Sequence, residues 1–163
     1  SLEYLWYGIG AYLRRNPDIR YLFGGVSLSN SYPQAARDLM VYFYSLYFGD
    51  SACAAVSKQP YQLPQAILSE LQQHFSGDNY LEDFTQLKHL LANMGLSVPT
   101  LYKQYSEIAE PGGVKFLAFG VDPDFADCVD GLVLVDLTML KSAKKQRYLG
   151  ETPEETEPTA ADV

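Results

Sequence analysis

The sequence predicts a mixed α/β domain of the α+β kind, with helices flanking a small sheet, and three observations carry that reading. Two apolar runs of strand length, Val114–Val121 and Leu132–Leu137, lie on either side of a turn-forming stretch from Asp122-Pro123-Asp124 to Gly131, the pattern of a β-hairpin. A third such run, Ile19–Leu28, stands apart from them near the start of the chain. Elsewhere apolar residues recur at three-and-four spacing, as in amphipathic helices. In the strand runs both alternating sets are apolar (Phe116 and Ala118 against Leu117 and Phe119), so the strands are expected to be covered on both faces.

Taken in order, Leu2, Leu5, Trp6, Ile9 and Leu13 share one helical face, and the helix should end at Asn16-Pro17, because the residue before proline is pushed out of the helical region. The strand Ile19–Leu28 is interrupted by Gly24-Gly25, which the pattern reads as a bulge or a packing contact ahead of a ligand approach. A helix leading into a strand is the usual second half of a strand–helix–strand crossover, and no strand precedes this helix. The edge of Ile19–Leu28 is therefore expected to be closed by a second copy of the chain, as a homodimer, or by a further segment of a parent protein. Ser29-Asn30-Ser31 offers capping side chains and Pro33 suits a first helical turn, for a helix carrying Ala36, Leu39, Met40, Phe43 and Tyr47. Ser51–Leu63 has no period and reads as a mobile excursion. Pro64 opens a helix to Phe75, Leu81–Met94 forms another ended by Gly95, and Ser97 can cap a third carrying Leu101, Tyr105 and Ile108. Thr138–Tyr148 is expected to be a short final helix.

Composition narrows the class. With 163 residues and 47% hydrophobic content the chain can bury one ordinary core, so a single domain over residues 1–150 is expected. Through Gly150 the chain has 12 Lys and Arg against 15 acidic residues, so the net charge of −8 comes mostly from the tail GETPEETEPTAADV. That tail, residues 151–163, has almost no apolar residue to offset the entropy of ordering and is expected to be disordered. Only one short basic cluster exists, Lys141, Lys144, Lys145 and Arg147, which argues against nucleic acid as a partner. No apolar run approaches the roughly 20 residues of a membrane span, and no signal peptide opens the sequence. Cys53 and Cys128 read as free thiols in a reducing compartment. His74 and His89 are the only histidines, so no histidine-rich metal site is expected.

Three blocks, Leu5–Phe43, Pro99–Tyr105 and Gly120–Asp136, together resemble the C-terminal half of the hemolysin-labelled branch of the GNAT acyltransferase superfamily. They are similar also to the ornithine N-acyltransferases of ornithine-lipid synthesis. The resemblance implies a partial GNAT-like sheet lacking its N-terminal strands, a thioester donor (acyl-coenzyme A or acyl carrier protein), and acyl transfer to an amine. It further implies bacterial lipid metabolism in the cytoplasm, with the intact protein able to associate with a membrane. In such enzymes backbone amides of a glycine-containing loop at a helix N-terminus hold the pyrophosphate of coenzyme A. Gly8 and Gly10 lie within a helical pattern and do not supply that loop, so this fragment alone is expected to be inactive. A non-catalytic interaction module, or a hemolysin-like one, is the alternative.

The resemblance marks candidate site residues. Ser27, Ser29 and Asn30 follow the glycines at the C-terminal end of the first strand, where ligands of α/β sheets gather; helix capping explains Ser29 and Asn30 equally well. Tyr32 could protonate a leaving thiolate or simply pack. Lys103 and Tyr105 match the lysine-tyrosine helix block, and Asp122, Asp124 and Phe125 match the hairpin block. A carboxylate there could hold an amine or accept its proton, although Asp on either side of a proline is also a turn signal, and the pattern favours the turn. Lys103 could alternatively pair with Asp122 or Asp124.

Overall fold

The computed structural model describes residues 2–150, and the expected disordered tail lies outside them. The chain is a mixed α/β domain with a three-stranded antiparallel sheet in the order β1-β3-β2. Helix α1 (Leu2–Arg15) leads into β1 (Tyr21–Leu28) and then α2 (Gln34–Phe48). A 3₁₀ turn, Gln65–Ile67, opens α3 (Leu68–His74), which is followed by α4 (Tyr80–Asn93) and α5 (Thr100–Ile108). The hairpin β2 (Val114–Asp122) and β3 (Cys128–Asp136) and then α6 (Ser142–Leu149) complete the fold. β1 runs antiparallel to β3 from Tyr21 opposite Asp136 to Leu28 opposite Val129, so β1 and β2 point the same way.

Two expectations about the strands are corrected. The register of β1 on β3 is unbroken through Gly24 and Gly25; the irregularity falls in β2, between Phe116 and Ala118. Neither glycine is there for packing, since nothing lies within 4 Å of where a Cβ would stand on either. Nor is the sheet covered on both faces. Along β3 buried and half-buried residues alternate, and on β1 Tyr21, Phe23, Gly25 and Ser27 are exposed while Val26 and Leu28 are buried. Helices cover one face only. Period-2 burial won over the run of apolar letters because the helices all pack on the side bearing Val26, Phe116, Val129 and Val133.

On that face α2 is the central element, with Ala36, Met40, Phe43 and Tyr44 fully buried. Tyr44 meets Tyr102 edge-on at 5.0 Å and Tyr102 stacks on Phe116 at 5.6 Å, which ties α2, α5 and β2 together. Burying each such side chain is worth about 1.5–3 kcal/mol, and aromatic pairing adds about 0.5–1.5 kcal/mol. α1 packs through Trp6 and Leu13; the Trp6 indole N–H donates to Gln104 Oε1 at 2.9 Å, and Arg147 of α6 pairs with Glu3.

Helix starts differ from the sequence reading. Pro33 and Pro99 occupy the N-cap positions of α2 and α5 without side-chain capping bonds, so neither Ser29–Ser31 nor Ser97 caps its helix. Asn79 does cap α4, accepting from the amides of Leu81 and Glu82. Residues 137–139 form a 3₁₀ turn held by Asp136, which delays α6 to Ser142.

Candidate active site

The C-terminal ends of β1 and β2 and the start of β3 meet at one end of the sheet, on its uncovered face. A cleft of about 410 Å³ opens there, bordered by Gly25, the segment 55–59, Asp122, Asp124 and Asp130. Its floor follows from register: Ser27 of β1 and Gly120 of β2 lie opposite Asp130 on either side of β3, and Cys128 lies opposite Asp122. Alternation sends Ser27, Asp130, Cys128 and Asp122 to the same face.

Segment 51–63 is not a loose excursion, and its attachment builds one wall. The Tyr61 amide donates to Phe119 O at 3.0 Å and the Val121 amide donates to Gln59 O at 2.9 Å, so this segment lies along the outer edge of β2. It comes so close that only a glycine fits at position 120. Farther along, the Tyr61 hydroxyl donates to Asp38 Oδ1 at 2.6 Å, fastening the segment to α2.

Of the expected site residues, Asp122 and Asp124 border the cleft and Ser27 lies beside its floor. Asp122 also makes the turn its sequence favours: one carboxylate oxygen accepts from the amides of Asp124 and Phe125, at 2.9 and 3.2 Å. Phe125 is exposed at the tip of that turn. Ser29 Oγ accepts from the Ser31 amide at 3.1 Å in a local turn, beside the exposed Asn30. The Tyr32 hydroxyl donates to the Ser97 carbonyl at 3.0 Å and does not border the cleft. Lys103 is exposed on α5 and pairs with neither Asp122 nor Asp124; it takes part in none of the salt bridges among the described residues. Tyr105 faces the helical side of the sheet, edge-on to Trp6 at 5.8 Å.

Asp130 escapes the sequence reading because Asp122–Gly131 reads as one long turn, whereas β3 begins at Cys128, a free and buried thiol. The real turn is shorter: Ala126 and Asp127 both adopt left-handed backbone with φ near 53° and 52° and reverse the chain within a few residues. The Cys128 thiol donates to Asp130 Oδ1 at 3.5 Å. Burial first, and the Asp130 carboxylate second, push that thiol above its ordinary value, which disfavours its nucleophilic thiolate. Three carboxylates at the rim of a half-open cleft favour a cationic ligand such as an ammonium, and a carboxylate can also accept its proton. Among the described residues no group of three or more His, Cys, Asp or Glu is arranged to hold a metal ion.

A second concavity, of about 550 Å³, lies on the other face between α1 and β1, and its lining is predominantly apolar. The two depressions lie on opposite faces of β1: Gly24 borders the groove and Gly25 the cleft.

The chain is similar to two acyltransferases. A protein of Phocaeicola vulgatus named glycine N(alpha)-acyltransferase is 24% identical over 149 residues, which cover 91% of this chain and 45% of that protein. One of the same name from Bacteroides thetaiotaomicron is 26% identical over 149 residues, covering 91% of this chain and 43% of its own length. The chain thus spans less than half the length of these curated relatives. No protein-family model and no solved structure matches it. Among the described residues no helix is long and apolar enough to cross a membrane.

Proposed function

We propose that this chain forms part of an acyltransferase that moves an acyl group from a thioester onto an amine, with an amino acid such as glycine as acceptor. The observation that carries the reading is the similarity, along 91% of the chain, to two proteins named for that reaction. In the reaction the amine nitrogen attacks the thioester carbonyl carbon, a C–N bond forms, the C–S bond breaks, and the sulfur leaves as a thiol. The acceptor must first lose the extra proton of its ammonium form. The cleft beside Asp122, Asp124 and Asp130 supports this: its carboxylates attract the ammonium, and Asp130, whose side chain the turn does not use, takes the proton. Asp122 holds the turn that places Asp124 at the rim.

The donor is a thioester of coenzyme A or of acyl carrier protein. Gly8 and Gly10 lie inside α1, where amides are bonded along the helix, so they do not grip a pyrophosphate. With a long-chain acyl donor the N-acyl amino acid is an amphiphile, and the proposal extends to a role in lipid metabolism.

The test is free-thiol release from acyl-coenzyme A and from acyl carrier protein thioesters, with glycine, ornithine or no amine. It is run on a longer protein containing this chain and on this chain alone. Amine-dependent thiol release by the longer protein, with the N-acyl product seen by mass spectrometry, is expected. No release with any amine would overturn the reading, and the two donor arms identify the carrier.

A further inference from the structure

Segment 55–59 walls the acidic cleft, and its middle residues stand where a side chain of the sheet would otherwise be. Gly120 lies opposite Asp130 across the β2–β3 pair, and a Cβ on Gly120 would run into the Ser57 Oγ. The Ser57 hydroxyl therefore takes the place of a side chain at 120, in one row with Asp130 and Ser27 and, by the spacing of directly opposed residues, about 5 Å from the Asp130 Cβ. It accepts from the Gln59 amide at 3.2 Å, and the Gln59 carbonyl accepts from the Val121 amide at 2.9 Å, so the backbone on both sides of Lys58 is pinned to β2. Lys58 is exposed, borders the cleft together with Asp124 and Asp130, and is the only Lys or Arg among the described residues that line it. It takes part in none of the salt bridges among the described residues.

We infer that Ser57 and Lys58 form the subsite for the carboxylate of an α-amino acid acceptor, facing the Asp130 side that takes its ammonium. The inference rests on the acyl-transfer reading and deepens it: the acceptor is recognised by both of its charges and not as an amine alone. Charge is divided across the cleft as a zwitterion divides it. The β2–β3 hairpin contributes the carboxylates of Asp122, Asp124 and Asp130, and the wall contributes the Lys58 ammonium and the Ser57 hydroxyl. That hydroxyl accepts from Gln59 and keeps its proton to donate. An acceptor ammonium seated on Asp130 puts its carboxylate, one carbon away, beside Ser57, and the four-carbon stem of Lys58 is long enough to bring its Nζ to the same oxygens. An amide in place of the carboxylate keeps an oxygen for Ser57 but brings no charge to Lys58, so Lys58 is the discriminating residue. A phosphate of the donor fits less well, because one lysine would hold a multiply charged group next to three carboxylates that repel it.

The test compares glycine with glycinamide as acceptors, concentrations counted as free amine, on a longer protein containing this chain and on its Lys58→Gln and Lys58→Arg variants. The unmodified protein should favour glycine in kcat/KM by about tenfold or more, the worth of a hydrogen bond between charged groups. Lys58→Gln should raise KM for glycine about tenfold with kcat little changed, as loss of binding common to ground and transition states does, and should remove the preference. Lys58→Arg keeps the charge and should keep the preference. Lys58 is exposed, so all three proteins should share one melting temperature, which separates a lost contact from misfolding. Equal use of glycine and glycinamide by the unmodified protein, or a preference that survives Lys58→Gln, would overturn the inference and leave the acyl-transfer reading standing. A rise in KM for the thioester in place of the amino acid would overturn it in favour of a donor phosphate. Transfer to no amine at all would overturn both.

Discussion

Gly120 and Ser57 approach so closely that a Cβ on Gly120 would stand 2.2 Å from the Ser57 Oγ and 2.9 Å from its Cβ. The contact holds one wall of the acidic cleft against β2, with the Gln59 carbonyl 3.1 Å from the same point.

Gly120→Ala should therefore push segment 57–61 off the sheet edge. The expected loss is about 1–3 kcal/mol in urea unfolding, with faster hydrogen exchange confined to that segment, as overpacking predicts. Gly8→Ala is the control: Gly8 lies inside α1 with open space around its Cβ position, and alanine there should gain about 0.5–1 kcal/mol. Equal effects from the two variants would remove the argument from close approach.

Asp83 is buried at the start of α4, where the Tyr47 hydroxyl donates to its Oδ2 at 2.5 Å and the Gly77 amide at 2.8 Å. Burial works against its charge and is the largest single influence, but the hydrogen bonds from Tyr47, Gly77 and Ser76 together outweigh it and hold the carboxyl below its ordinary range. A carboxyl that binds its proton less tightly when folded adds stability above its unfolded value of about 3.9 and loses it as pH falls through the folded value. The melting temperature should thus drop as pH is lowered from about 5 to about 2.5, and Asp83→Asn should flatten part of that drop. Tyr47→Phe leaves a buried carboxylate short of a donor and should cost about 1–3 kcal/mol. A pH profile identical in Asp83→Asn and the parent chain would contradict this account.

Much of the helical framework was legible because its signals are local. Asn16-Pro17 ends α1 near where the pattern says, and the spacing of Ala36, Met40 and Phe43 marks the buried face of α2. The strand faces were not legible. Leu117, Leu132 and Leu134 are as apolar as their buried neighbours, and only the packing of all the helices on one side leaves them half-exposed. The cleft was half legible: Asp122 and Asp124 stand in a recognisable turn, whereas Asp130 joins them through the register of β3 and Ser57 through an attachment formed by backbone bonds. No periodicity carries a contact of that kind. Tyr105 illustrates the converse error, since it lies two residues from Lys103 on a helix and therefore faces another way.

The two thiols should react very differently. Cys53 is exposed, while Cys128 is buried and its thiol pushed up by burial and by Asp130. Iodoacetamide at neutral pH should label Cys53 within minutes and Cys128 only after unfolding, as peptide mass spectrometry can read. Comparable labelling of both in the folded chain would show that the start of β3 opens readily.

Asp130 gives the sharpest test of the cleft. Its side chain lies in the row with Ser27 and Gly120 and makes no turn bond, so Asp130→Asn should leave the circular dichroism spectrum and melting temperature of a longer protein containing this chain nearly unchanged. If its carboxylate takes the proton of the acceptor, kcat/KM for the amine should fall by about 100-fold, within the range of a lost general base. KM for the thioester should stay put, because the donor's carbonyl does not depend on that carboxylate. The loss should shrink as pH rises and the free amine becomes abundant without help, a recovery that misfolding would not produce. An unchanged dependence on amine concentration would move the acceptor away from this face of the sheet, even if acyl transfer itself is upheld.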